Sequence, residues 1–405
     1  GAGARRGDVA SRTGVMNVRY APATLAAAPS RADTRPRVML IQTQAENAGA
    51  QEISRILAEG LTARGYDVRQ LFFFRRTDAF DADPTAAFCV PSRPSGPLSL
   101  LRFLWRLPAE IRAFRPDVVL CFQHYGNVIG APVARLAGAA RIIANQNSAT
   151  LTAPAWARHA DRWIGTLGAF TSIVVPSRDS ETEYAGYPAR YRERLVRIGH
   201  GFEGKASPLG KPEARARLGL PVGATLLGCV ARLHPLKHLD AAVRLLAREP
   251  AWSLAIAGQG PDRAELIALA TSLGCAGRLH LVGELPRAAV GDFLAALDVF
   301  VFPSKAETFG LAVVEAAQAG VPTVANDIPV MREVLAVDGA PCALIVDVAD
   351  AEAFAEAVRT LLSNAELART LSERARGLAR RFPLDGMIDA YEGLILECLA
   401  TPPRP

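Results

Sequence analysis

The run Val299-Phe300-Val301-Phe302, closed by Pro303 and Ser304, limits the fold more than any other part of the chain. Its apolar side chains must alternate to both sides of a strand, so the strand is covered on both faces, as in a parallel sheet between helical layers. The next residues complete the unit. A loop with Glu307 leads into Phe309-Gly310-Leu311, a short helical segment carries Glu315, Gly320 and Pro322 end it, and a second strand reaches Asn326. Glycine just past a helix, with proline close behind, is a strong stop signal. Residues 299–326 thus read as strand, loop, helix, turn and strand, with polar groups where the first strand ends.

The same alternation fills the chain. Strands are expected at 38–42, 67–74, 118–122, 141–144, 173–175 and 195–198, with helices at 51–64, 98–114 and 127–136. A joint rich in Gly, Pro, Lys and Ala comes next at 201–217. The pattern then restarts, with strands at 225–231, 253–257, 279–282 and 343–346 and helices at 239–247, 262–273 and 287–297. Late helices are expected at 350–363, 365–380 and 388–399. Serial strand–helix units specify an α/β chain with two doubly wound, Rossmann-like parallel sheets. Such sheets bind ligands beyond the C-terminal ends of their strands. The divisions expected are an unperiodic, disordered arm over 1–35, a first domain over 36–201, a second over 202–384 and a terminal helical segment over 385–405.

Composition narrows the classes. The 405 residues are 50% hydrophobic, enough for two cores. A net charge of +6 favours anionic ligands only mildly, and no basic–aromatic cluster specifies a nucleic-acid module, so nucleic acid is not expected as a partner. Six scattered cysteines without a Cys-x-x-Cys pair read as reduced core residues of a cytoplasmic protein. No apolar stretch reaches the ~18 residues of a spanning helix. Residues 98–105, with Arg102 and Arg106, are apolar and basic and could lie peripherally on the inner face of an anionic membrane, although a helix packed on the first sheet is the simpler account of them.

The chemistry gathers at strand ends. Glu307 and Glu315 stand eight residues apart around a helix N-terminus, whose free amides suit a phosphate while the carboxylates suit hydroxyls. Arg232-Leu-His-Pro-Leu-Lys237, Gly258-Gln-Gly-Pro261 and Gly283-Glu-Leu-Pro286 each come directly after an expected strand. Singly, these are solvated charges and tight turns. Together with PSKAETFGLAVVEAAQAGVPTVA at 303–325, they resemble the Arg-x4-Lys, Gly-x-Gly-Pro and Glu-x7-Glu segments of the family-4 retaining glycosyltransferases.

The resemblance covers about residues 37–400 and implies the GT-B fold: two Rossmann-like domains facing across a cleft, donor in the second and acceptor in the first. The last helix would cross back onto the first domain. The reaction implied is transfer from a nucleoside-diphosphate sugar, UDP favoured over GDP, to a hydroxyl of a saccharide, lipid-linked glycan or small molecule. It would proceed with retention and with neither metal nor cofactor. By the same resemblance Arg232 and Lys237 clamp the departing diphosphate, since fixed cations must stabilise that charge where no metal does. Phe309, Gly310 and Leu311 face the phosphate and sugar, Glu307 the sugar hydroxyls and Glu315 the ribose diol. Gly258 floors the site, the loop at Leu285 meets the base through backbone groups, and Gly49 admits close backbone approach. Gln146 stands near the point where many relatives carry His or Arg in a catalytic role, with Asn147 and His124 on the acceptor side; Gln can neither carry charge nor act as a base.

Two lures are set aside. Asp81-Ala82-Asp83 spells a metal-binding DxD, but no apolar strand leads into it, and His234 and His238 straddle Pro235. Two other functions stay open: a same-fold epimerase or phosphorylase, and a non-catalytic nucleotide-sugar-binding subunit, the latter suggested by Gln146.

Overall fold

The computed structural model describes residues 36–400; the arm expected over 1–35 and the end of the terminal segment, 401–405, lie outside the described residues. The first sheet has seven strands, β1 Arg37–Ala45, β2 Asp67–Arg75, β3 Ala86–Val90, β4 Val118–Phe122, β5 Ile142–Asn145, β6 Ser172–Val175 and β7 Leu195–Arg197. The second has six, β8 Thr225–Val230, β9 Trp252–Ala257, β10 Leu279–Gly283, β11 Val299–Phe302, β12 Thr323–Asn326 and, after a small ribbon of β13 Ala336–Val337 and β14 Ala340–Pro341, β15 Leu344–Val346.

Both sheets are parallel, in the orders β3-β2-β1-β4-β5-β6-β7 and β10-β9-β8-β11-β12-β15. Each order reverses once, between β1 and β4 and between β8 and β11. A crevice opens where the connections diverge to opposite faces. Val299–Phe302 is buried along its whole length at the centre of the second sheet, as its unbroken apolar run requires.

Several local details differ from the sequence reading. β3 was not expected, being an edge strand that pairs only with β2. Helix Ala155–Thr166 was also not expected. Residues 127–136 hold a π-helical turn, Gly126–Gly130, before helix Ala131–Leu136. The single late helix at 365–380 is instead two, Ala365–Ala375 and Leu378–Arg381, broken at Gly377.

Helix Leu384–Ala400 leaves the second half and packs on the first. Met387, Ile388, Tyr391 and Ile395 share a core with Val38, Ile53, Leu57 and Phe122. A Cβ at Gly60 would lie 2.5 Å from Ile388 Cδ1, so this glycine lets helix Gly49–Ala63 approach. The two passages between halves run side by side, since Phe202 bridges Pro383 in parallel and a Cβ at Gly201 would stand 2.7 Å from the Pro383 carbonyl oxygen. All six cysteines are buried and unbridged. No helix among the described residues is long and apolar enough to cross a membrane.

Candidate functional site

A cavity of about 630 Å³ lies between the C-terminal edges of the two sheets, where the strand orders reverse. That volume suits a nucleotide-sized ligand. From the second sheet come Arg232 beyond β8, Gly258 beyond β9, Leu285 beyond β10, and Glu307, Phe309 and Gly310 beyond β11. Leu311 and Glu315 are supplied by helix Leu311–Gln318. From the first sheet come Gly49 and Asn147. Lys237 completes the set, so eleven of the thirteen residues singled out in the sequence share one wall-to-wall space.

Local backbone explains several placements. Gly258 has φ 142°, and a Cβ there would sit 2.0 Å from the Ala231 carbonyl oxygen, so only glycine lets this turn cross under the Arg232 loop. Gly310 has φ 81° and precedes helix Leu311–Gln318, which has no side-chain cap. Opposite, Ala48 gives helix Gly49–Ala63 no side-chain cap either. Two helix N-termini, each with unspent amides and a positive dipole end, therefore open into one cavity from opposite walls.

The charges are paired. Lys237 Nζ contacts the Glu307 carboxylate and lies 5.8 Å over the Phe302 ring. Arg232 is 3.9 Å from Glu46 of the first half, which also holds Arg76 at 3.2 Å and accepts from Gln44 at 2.6 Å. Glu315 is buried, 3.6 Å from Lys205, which in turn lies 3.8 Å from Glu52. Burial pushes the Glu315 carboxyl up to about 7; Lys205 opposes this and Glu52 adds to it. Arg287 ties the halves together by binding Glu52 at 2.9 Å, Glu59 at 3.3 Å and Glu203 at 3.0 Å.

Two expected site residues are elsewhere. The side chain of Gln146 is turned away from the cavity into a buried network, donating to Asp161 at 2.8 Å and Tyr191 at 2.9 Å and accepting from Asn127 at 3.2 Å. Its amide has both a donor and an acceptor to satisfy in the interior, so it joins helix Ala155–Thr166 to the sheet rather than facing a ligand. His124 bonds Thr152 at 2.7 Å and does not line the cavity; the wall there is Gln123 and Thr152. Asn147 stays at the wall, accepting from the Gln123 amide at 3.0 Å while its buried Nδ2 has no partner.

Sequence reading missed Lys205, Glu46, Glu52, Arg287 and His200. His200 lines the cavity with its ring 5.2 Å from Phe309 and its Nδ1 unpartnered, and burial pushes its imidazole down to about 4, so it is neutral near pH 7. A strand-end His beside a joint was visible; that it meets Phe309 was not. Asp83 of the Asp-Ala-Asp sequence accepts from Thr85 at 2.8 Å and Gln70 at 2.7 Å as a turn brace, and Asp81 pairs with Arg75. Among the described residues no group of three His, Cys, Asp or Glu side chains converges as a metal-ligand set.

Comparison with known proteins places this geometry. Residues 210–378 match the family model described as glycosyl transferases group 1, and residues 48–203 that of glycosyltransferase family 4. The chain is 31% identical over 316 residues, 72% of its length and 77% of the relative's, to a GDP-mannose-dependent alpha-mannosyltransferase of Mycolicibacterium smegmatis. It is 33% identical over 192 residues to the lipopolysaccharide core biosynthesis mannosyltransferase LpsB of Rhizobium meliloti, covering 45% of this chain and 54% of LpsB. The chain thus spans about half the length of several curated relatives it matches. Among solved structures, HepE of Anabaena in complex with UDP and glucose superposes with a TM-score of 0.77 at 17% identity, covering 90% of this chain and 100% of that one. The fold is GT-B.

Proposed function

This chain belongs to glycosyltransferase family 4, and from that premise we propose that it transfers a sugar from a nucleoside-diphosphate sugar to a hydroxyl acceptor, with retention and without a metal ion. One observation carries the reading: two strand-end cations and two uncapped helix N-termini converge on one cavity, an arrangement suited to a diphosphate.

In this reading the diphosphate replaces Glu307 as partner of Lys237 and Glu46 as partner of Arg232. In this structure the two carboxylates hold those cations. Once released, Glu307 accepts from sugar hydroxyls, and Glu315 accepts from both ribose hydroxyls, displacing Lys205. As the glycosidic bond breaks, negative charge grows on the leaving phosphate, where Arg232, Lys237 and the first amides of helix Leu311–Gln318 stabilise it. The acceptor hydroxyl attacks from the same face and passes its proton to the leaving phosphate. The unpartnered Nδ2 of Asn147 is a donor for the acceptor or sugar.

The base meets the Gly283–Pro286 loop through backbone groups, which do not discriminate strongly. UDP-sugars are the first donors in this proposal, and the relative named for GDP-mannose makes GDP-mannose the second. Thermal shift against UDP-, GDP- and ADP-sugars, followed by turnover of the hit in EDTA, tests the whole reading. Released nucleoside diphosphate with a transferred or hydrolysed sugar is expected. An epimerised donor or free sugar phosphate would replace the transfer with another chemistry, and activity lost in EDTA but restored by Mg²⁺ would overturn the metal-free mechanism.

A further inference from the structure

The large apolar side chains left in solvent are unevenly placed. Among the described residues, ten of the fourteen lie on the first half, and all ten belong to one face of its sheet or to the loop entering that face. Helix Pro97–Phe114 buries Phe103, Leu107, Ile111 and Phe114 against the sheet. Leu98, Leu101 and Trp105, spaced by three and four, occupy its opposite side and are 82%, 64% and 67% exposed. Helix Ala155–Thr166 repeats the design: Trp156, Trp163 and, just past its end, Leu167 share the outward side at spacings of seven and four. Between the two helices lies Ala131–Leu136, packed on the first, with Leu136 outward. Three of the chain's four tryptophans are in this surface; the fourth, Trp252, is buried.

Its charge has one sign. Arg102, Arg112, Arg158 and Arg162 are exposed on these helices. Of their two carboxylates, Glu110 is paired with Arg106 at 2.6 Å, and Asp161 is buried and bonded to Tyr191 and Gln146. Neither helix exposes a free carboxylate. Face-to-face pairing of two copies would set arginines against arginines, whereas an anionic lipid surface complements them and takes up tryptophan and leucine at its interface. The surface also adjoins the cavity. Trp156 lies 5.9 Å from Tyr125, which shares the short helix Gln123–Tyr125 with cavity-lining Gln123. Thr152, itself in the cavity wall, stands just before helix Ala155–Thr166 begins.

We propose that this face docks the protein on an anionic bilayer surface, presenting the first-half wall of the cleft to an acceptor carried in that membrane. The acceptor clause rests on the transferase reading; the docking does not. The test is co-sedimentation of the full chain with vesicles of phosphatidylcholine alone or mixed with phosphatidylglycerol, at low and high salt, with tryptophan emission recorded in parallel. Binding to the mixed vesicles, weakened by salt and accompanied by a blue shift, is expected. The pairs Leu101→Ser with Trp105→Ser, and Trp163→Ser with Leu167→Ser, should each reduce partitioning about tenfold or more, while Ile267→Ser on the second half should leave it unchanged. All these side chains are exposed, and an unchanged thermal shift with nucleotide confirms that the variants fold. The inference is overturned if the native chain stays in the supernatant, if neither pair weakens binding, or if light scattering finds a dimer that the pairs dissociate. Should vesicles bind while no nucleotide sugar does, the docking stands and the transferase reading falls.

Discussion

The two walls of the cleft are built on different principles. The second-half wall carries Arg232, Lys237 and Glu307 in loops after strands and Glu315 on the helix that follows, and its turn at Gly258 and Gly260 needs glycines because neighbouring backbone fills their Cβ positions. The first-half wall is uncharged along Gln123, Asn147, Ser148 and Thr152; its charges are Glu46, Glu52, Arg55 and Arg76, paired among themselves and with cations across the cleft. The first arrangement holds one constant chemical group in one place; the second leaves hydrogen-bonding positions that can be changed without disturbing the fold. A nucleotide is invariant among donors of one base, while acceptors differ in shape. On the transferase reading proposed above, the contrast assigns the donor diphosphate to the second-half wall and the acceptor to the uncharged stretch of the first.

Five substitutions can break or sharpen that contrast. Arg232→Ala and Lys237→Ala should each lower kcat/KM by about 10²–10³, the scale of losing one preorganised charge stabiliser. Steady-state kinetics showing native turnover in either variant would remove that residue from the charge-dense wall. Glu307→Gln should lower kcat by about tenfold to a hundredfold, a charge-assisted hydrogen bond being worth roughly 1.5–3 kcal/mol, yet spare the affinity for free nucleoside diphosphate. Calorimetric titration with diphosphate and with donor separates the two, and a loss of diphosphate affinity would reassign Glu307.

Glu315→Gln should weaken free diphosphate and donor alike, by about tenfold, because one bond to the shared ribose is lost. A pH signature accompanies it. Burial pushes the Glu315 carboxyl up to about 7 from its ordinary 4.5, so between those values the folded chain keeps a proton there that the unfolded chain has released. This group's contribution to stability therefore falls as pH rises through that window. Ribose binding needs the ionised form, so native affinity for the nucleotide sugar, whose diphosphate has no proton to lose in this range, should climb from pH 6 to 8 while the Gln variant stays flat. A native profile as flat as the variant's would separate Glu315 from the ribose.

The smallest effect on binding belongs to the other wall. Gln146→Leu should cost about 1–3 kcal/mol of stability, since Asp161, Tyr191 and Asn127 each lose a buried partner. Nucleotide affinity should not change. A weakened nucleotide with an unshifted melting temperature would return Gln146 to the site and blur the distinction between walls.

Legibility in the sequence obeys the same division. Glu307, Glu315, Arg232 and Lys237 were legible because each sits at a fixed offset from an apolar strand, and local spacing is what a sequence displays. Their partners were not. Glu46 meets Arg232 from the opposite half of the chain, and Lys205 meets Glu315 from the joint, where no periodicity marks a contact. Gln146 was misread because a strand-end position does not say whether a side chain faces out or in; a polar side chain with buried partners 15 and 45 residues away gives no local sign. Helix Ala155–Thr166 escaped because Trp156 and Trp163 lie on its solvent side, which inverts the apolar stripe that announces a helix. β3, at the sheet edge, is only half covered and lacks the run that betrayed Val299–Phe302.

The side-by-side passages at Phe202 and Pro383 have a mechanical consequence. Two covalent connections that nearly coincide leave a pair of rigid bodies one easy rotation, about the line the strands share, much as adjacent pins make the edge of a book its spine. Displacement in such a rotation grows with distance from the spine. Contacts that tie one page to the other, Arg232 with Glu46 and the Asn47 amide with Glu284 at 3.1 Å, then act as clasps whose release sets the angle to which the cleft falls open.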